Sequence, residues 1–128
     1  MRGAFFFAAI ALGLVWVRRR MLVAQVVGTS MMPTYFDGDR LLAVRCGAVR
    51  VRQVVVVRNP HVPRSSLLVK RVAAVAGGLV PPGVAGNVVP PGHLAVLGDN
   101  PDQSMDSRQL GFIPVHHVVA RVLLRISH

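Results

Sequence analysis

"LLVKRVAAVA", residues 67–76, is an apolar run of Leu, Val and Ala that is interrupted once by a Lys-Arg pair and ended by Gly77-Gly78. Runs of the same kind recur along the chain. They are "MLVAQVV" (21–27), "RLLAVR" (40–45), "QVVVVR" (53–58), "HLAVLG" (93–98) and "HVVARVLLRI" (117–126). Each is short, rich in Val and Leu, and bounded by Gly, Pro, Asn or Asp, which is the pattern of strands rather than helices. Unbroken valine runs such as 54–57 suit strands buried on both faces. Helix-period segments of ten or more residues are absent after residue 20, the last run being ambiguous. The stretch "GGLVPPGVAGNVVPPGH" (77–93), with its two Pro-Pro-Gly units, reads as a loop or truncated hairpin inside one domain. The expected fold is therefore mostly β, a single compact β-barrel-like domain over 21–128.

Composition narrows the partners. The chain has 128 residues, with 15 basic against 5 acidic side chains and a formal net charge of +10. Such an excess draws a protein to anionic surfaces, either nucleic acid or phospholipid headgroups. A hydrophobic fraction of 52%, with only 5% aromatic residues available for base stacking, argues for lipid and against nucleic acid. Cys46 is the sole cysteine, so no internal disulfide forms and no thiolate metal site is expected. The five aspartates lack the convergent spacing of an oxygen-ligand site, and the histidines lack ligand spacing; no metal or cofactor is expected.

The N-terminus stands apart from this pattern. "GAFFFAAIALGLVWV" (3–17) is apolar, with Arg2 before it and Arg18, Arg19 and Arg20 after it. As a helix it would run for about 22 Å, short of the ~30 Å hydrocarbon core, with Trp16 and snorkelling arginines available to extend it at the interface. Residues 1–20 are read as a transmembrane or membrane-anchoring helix. A cleaved signal peptide fits less well, because the arginines occupy the place of a small-residue cleavage site. The positive-inside rule applied to Arg18–Arg20 places the following domain in the cytoplasm.

Fourteen arginines accompany one lysine, Lys70. Arginine does not give up its proton in a protein, whereas a lysine desolvated among apolar neighbours can become a general base. Lys70 follows Leu67, Leu68 and Val69, an environment of that kind, although a strand-edge lysine with its ammonium in water is the commoner case. Ser30, in "VVGTSMMPTYFDGDRLLAV" (26–44), has neither acid nor histidine beside it. A lone Gly-Thr-Ser is ordinarily a turn; paired with a neutral lysine, the hydroxyl would become a nucleophile. Asp106 and Arg108, two apart, would project on one side of an extended segment and form a structural salt bridge.

Taken together and in this order, "GTSMMPTYFDGD", "LLVKRVAAVAGG" and "LGDNPDQSMDSRQLGFIPVHHVVARV" resemble the boxes of the type I signal peptidases, membrane-anchored Ser/Lys proteases that include the mitochondrial inner membrane protease. The resemblance covers about half the chain. It implies a mostly-β catalytic core, with Ser30 as nucleophile and Lys70 as general base. Ser104 matches the hydroxyl that orients the lysine, and Asp106 with Arg108 the supporting ion pair. Gly28 and Met31 fall at the oxyanion hole and substrate groove. Gly28 stands where some members carry a serine that completes the oxyanion hole, and "AGG" (76–78) replaces the usual Pro-Gly-Asp.

The expected function is that of a serine endopeptidase that cleaves signal or leader peptides from exported preproteins, bound in extended form by strand addition. The family setting implies a single-pass protein of the cell membrane with an extracytoplasmic catalytic domain, in conflict with the arginines after the helix. Two alternatives stay open. One is a dedicated maturation protease for a single partner protein; the other is a non-catalytic, membrane-associated peptide-binding β-domain.

Overall fold

The computed structural model describes residues 2–45, 48–62 and 67–128, so Cys46 lies outside the described residues. Helix α1 (Arg2–Arg20) leads without a break into β1 (Met21–Gln25). There follow β2 (Arg40–Val44), β3 (Val54–Arg58), β4 (Leu67–Val75), β5 (His93–Leu97), the short helix α2 (Ser107–Leu110), β6 (Ile113–Pro114) and β7 (Val118–Ser127). Single 3₁₀ turns cover Pro101–Gln103 and Val115–His117. The seven strands among the described residues join one antiparallel sheet in the order β1-β2-β7-β3-β4-β5-β6.

The valine runs place the core. Val54 to Val57 of β3 are all buried, which requires cover on both faces of the sheet. Val55 and Val57 pack with Val72, Leu94, Val96 and Ile113 on one side, while Val56 packs with Ala43 and Ala120 on the other. The cover on the first face comes mainly from β4, β5 and β6 and that on the second mainly from β1, β2 and β7, which a flat sheet could not bring over β3, so the sheet must curl. The expected barrel is accordingly a curled half-barrel with two edges, β1 and β6, rather than a closed one. Bulges between Val72 and Ala74, and at several β7 pairings, supply the bends. The ambiguous run near the C-terminus is a strand, β7, which bridges β2 and β3.

Residues 77–93 fold back on themselves in a truncated hairpin, with an isolated bridge between Leu79 and Val88. Val89 from this segment is buried against Ala74 and Ala95.

Of the transmembrane or membrane-anchoring helix expected over residues 1–20, the membrane-crossing form is corrected. Residues 2–20 are helical, and Leu12, Leu14 and Trp16 are exposed, but no helix among the described residues is long and apolar enough to cross a membrane. The physical reason is length: the apolar run stops at Val17, where three arginines complete the helix. The Arg20 guanidinium lies over the Trp16 ring, 5.1 Å from its centroid, and the Arg20 carbonyl accepts the Arg45 N–H at 2.6 Å.

Candidate active site

Lys70 sits in the middle of β4 opposite Val55, on the face whose core residues are Val55, Val57 and Val72. It is 3% exposed. Burial lowers its pKa from the usual lysine value, the nearby Arg108 charge lowers it further, and Asp106 pulls it back up. Lys70 Nζ donates to Ser104 Oγ at 3.0 Å, and Ser104 Oγ donates to Asp106 Oδ2 at 2.8 Å. Because the serine proton is committed to the aspartate, Ser104 can receive the lysine only as an acceptor. A neutral amine held through one N–H keeps its lone pair for another partner.

Asp106 is fully buried. Its carboxylate accepts from the Gly98 N–H at 2.8 Å and from Arg108 Nε at 3.0 Å, and it caps α2 by accepting the Arg108 N–H at 3.1 Å. Gln109 completes a capping box by accepting the Asp106 N–H at 2.9 Å. Burial pushes the Asp106 pKa up, but the hydrogen bonds from Arg108, Gly98 and Ser104 together outweigh it and hold the carboxyl below its ordinary value. Asp106 and Arg108 do pair, though not along an extended segment. Asp106 is the N-cap and Arg108 lies in the first turn of α2, so the guanidinium reaches back over the cap.

Ser30 is half-buried in the turn between β1 and β2. Ser30, Met31 and Lys70 line one small cleft of about 70 Å³, together with Gln25 to Val27 and Leu67 to Val69. The hydrogen bond of Lys70 goes to Ser104, outside the lining of this cleft, rather than to Ser30. Met31 is buried beneath the turn, and its carbonyl accepts from Thr34 and Tyr35. Gly28 has φ +89° and its N–H donates to Asp37 Oδ1 at 2.7 Å, so its place in the site is that of a turn residue. Asp39, also buried, accepts the Phe36 N–H and fixes the far end of the same turn, with Arg125 of β7 3.4 Å away.

A further group of residues joins the two halves of the site. Asp99 makes a two-pronged ion pair with Arg71, the neighbour of Lys70, through Nε at 2.9 Å and Nη2 at 2.7 Å, and also accepts from Thr34 Oγ1. The Arg71 bonds, with that from Thr34, hold the Asp99 carboxyl below its ordinary value against the effect of burial. Asn100 donates its backbone N–H to the Ser30 carbonyl at 2.8 Å and its side-chain amide to the Thr29 carbonyl at 3.0 Å. Gly98 lies where any Cβ would overlap Ser104 and come within 2.7 Å of the Ser30 carbonyl oxygen. No metal-binding group of His, Cys, Asp and Glu occurs among the described residues.

The family model described as signal peptidase, peptidase S26 matches residues 1–81 and 79–127. A relative, the mitochondrial ATP-independent inner membrane protease subunit 1a of Arabidopsis thaliana, is 33% identical over 114 residues, covering 79% of this chain and 67% of its own. The chain belongs to the S26 signal peptidase family. In this S26 chain Ser104, Asp106 and Arg108, singled out by the resemblance, form one connected network with Lys70. Arg71, Asp99, Asn100 and Gly98 were not singled out, although they lie inside the same S26 boxes. The signal that could have found them was adjacency: Arg71 follows the only lysine, and Gly98-Asp99-Asn100 opens the block that carries Ser104.

Proposed function

We propose that this S26 family member is a serine endopeptidase in which Ser30 is the nucleophile and Lys70 the general base, and that it removes signal or leader peptides at a membrane. The observation that carries the reading is the setting of the chain's only lysine: buried, depressed in pKa, held through one N–H by Ser104, and lining a cleft with Ser30.

Substrate enters as an extended segment beside the Gln25–Val27 backbone, where β1 forms an open sheet edge. The confined cleft suits small side chains before the scissile bond. Neutral Lys70 takes the proton of Ser30 Oγ, and the alkoxide attacks the peptide carbonyl. The Ser30 N–H is one donor to the oxygen that becomes negative. The lysine ammonium then protonates the leaving amine, and the acyl-enzyme is released by a water that Lys70 deprotonates in turn. Ser104 and Asp106 keep the amine aimed, since the lysine stem alone has several rotamers. For the membrane, the exposed apolar residues of α1 insert at the interface with Arg18 to Arg20 at the headgroups.

The test is cleavage of a preprotein by the full chain in anionic vesicles. Ser30→Ala and Lys70→Ala should each lower kcat by at least about a thousandfold, in line with loss of a nucleophile or its base. Lys70→Arg should be as damaging as Lys70→Ala, because it keeps the charge and removes the capacity to deprotonate. Full-rate processing by either alanine variant excludes the dyad. A wild-type chain that binds the preprotein in a Ser30-independent way and never cleaves it is a binding domain instead.

A further inference from the structure

Ser30 and Lys70 come from segments distant in sequence and are not joined by a hydrogen bond among the described residues, so something else must fix their separation. The segment 98–106 touches both. At one end Ser104 accepts the Lys70 amine and hands its own proton to Asp106. At the other end Asn100 uses its backbone N–H on the Ser30 carbonyl at 2.8 Å and its side-chain amide on the Thr29 carbonyl at 3.0 Å. Two residues before Asn100, Gly98 is pressed so closely that a Cβ would meet both the Ser30 carbonyl and Ser104. We infer that Asn100 is a positioning residue for the nucleophile: by binding two successive carbonyls of the Thr29-Ser30 turn it sets the place of Ser30 Oγ relative to the lysine that Ser104 holds. The inference rests on the Ser/Lys reading above.

The chemistry favours this role over a merely structural one. The Thr29 and Ser30 carbonyls belong to the peptide units on either side of the Ser30 Cα, so two donors from one residue restrict both dihedrals of the nucleophile. Thr29 and Asn100 are surface or half-exposed residues, so water can replace the lost bond in an Asn100 variant without a large stability penalty. Placement of Oγ has no such substitute. Displacements on the order of 1 Å of a reacting group can cost about a hundredfold in rate.

Two variants separate the possibilities. Asn100→Ala removes the amide, and Asn100→Asp keeps its shape while replacing the donor by an acceptor that faces a carbonyl. Both are measured in the full chain in vesicles, with kcat expressed per folded molecule from a thermal melt in the same buffer. The expected result is a kcat at least about tenfold below wild type in both, lower in Asn100→Asp, with KM within about twofold and the alkaline rise of kcat at an unchanged pH midpoint. An unmoved midpoint separates a nucleophile displaced from its base from a base that has itself been altered, for which Ser104→Ala serves as the comparison. Wild-type kcat per folded molecule in both variants overturns the inference while leaving the dyad standing. A loss matched by the loss of folded protein, with kcat per folded molecule intact, overturns it as well. If wild type itself shows no Ser30-dependent cleavage, the reading beneath the inference has failed, and that is a different observation from either of the others.

Discussion

At the scale of single residues the site is a problem of charge kept out of water. Lys70 is buried, which lowers its pKa, and the two charges that act on it pull in opposite directions: Asp106 raises its pKa and Arg108 lowers it. On the proposed dyad the base must be neutral, so activity should rise with pH through the lysine pKa, with the rise centred below the ordinary lysine value. Removing one neighbour moves the centre in a defined sense. Asp106→Asn takes away the charge that favours the ammonium, so the midpoint should shift to lower pH. Arg108→Gln takes away the charge that opposes it, so the midpoint should shift to higher pH. Profiles of kcat/KM for the two variants check this, and shifts in the same direction would contradict the effect assigned to one of the two charges. Gly98 gives a second expectation. In Gly98→Ala the new methyl overlaps Ser104 and meets the Ser30 carbonyl at 2.7 Å, a backbone atom that cannot swing aside. Activity should fall at least about tenfold through displacement of the reacting groups, measured per folded molecule. Ser30, Lys70, Ser104, Asp106 and Arg108 stand out as candidates in the sequence because each belongs to a box with characteristic spacing, and the last four of them form one hydrogen-bonded network. Asn100 does not, because its work is done through carbonyls, and backbone acceptors leave no trace in residue identity.

Elements were read with more success than their joins. Alternating and unbroken runs of Val and Leu gave the strands, and β3 is as buried as its four consecutive valines require. Helix α2 escaped notice because four residues are too few for a helical period to show. Its signal was the cap: Asp106 followed three residues later by Gln109 is a capping box in sequence as well as in space. The join has a consequence for mutation. Gln109→Ala removes the reciprocal half of the box, from an exposed side chain, while Asp106 keeps its own bonds to Gly98, Ser104 and Arg108. Stability should drop by about 0.5–1 kcal/mol in a denaturant titration, with kcat changed less than about threefold. A thousandfold loss of activity in this variant would mean that the box, and not the aspartate alone, holds the lysine.

The architecture of the whole molecule was legible as mostly β because hydrophobic period is local, whereas closure of the sheet is not. No run of residues records whether β1 meets β6, and the curled half-barrel leaves both as edges. Likewise the length of the N-terminal apolar run was plain, but its consequence for crossing a membrane lay in the arginines that terminate it. What fastens the turn of Ser30 to the sheet is carboxylate chemistry. Asp39 ties the end of the turn to β7 through Arg125, Asp99 ties Thr34 to Arg71 of β4, and Asp106 ties Gly98 to α2. All three have pKa values lowered in the folded protein: Asp39 first by the Phe36 N–H, Asp99 first by Arg71, and Asp106 by hydrogen bonds that together exceed the opposing effect of burial. A carboxyl that binds its proton less readily when folded stabilises the fold above its unfolded pKa, near 3.9, and that contribution is lost as pH falls through the folded value. Melting temperature should therefore hold level from neutral pH down to about 5 as far as these groups are concerned, then fall steeply below about 4. Asp99→Asn, which cannot titrate, should start from a lower plateau and fall less steeply over the same acid range. Equal slopes in the two proteins would show that the Arg71 pair adds nothing to the fold, and that the turn of Ser30 is held by the Asp39 and Asn100 bonds and the packing of Met31.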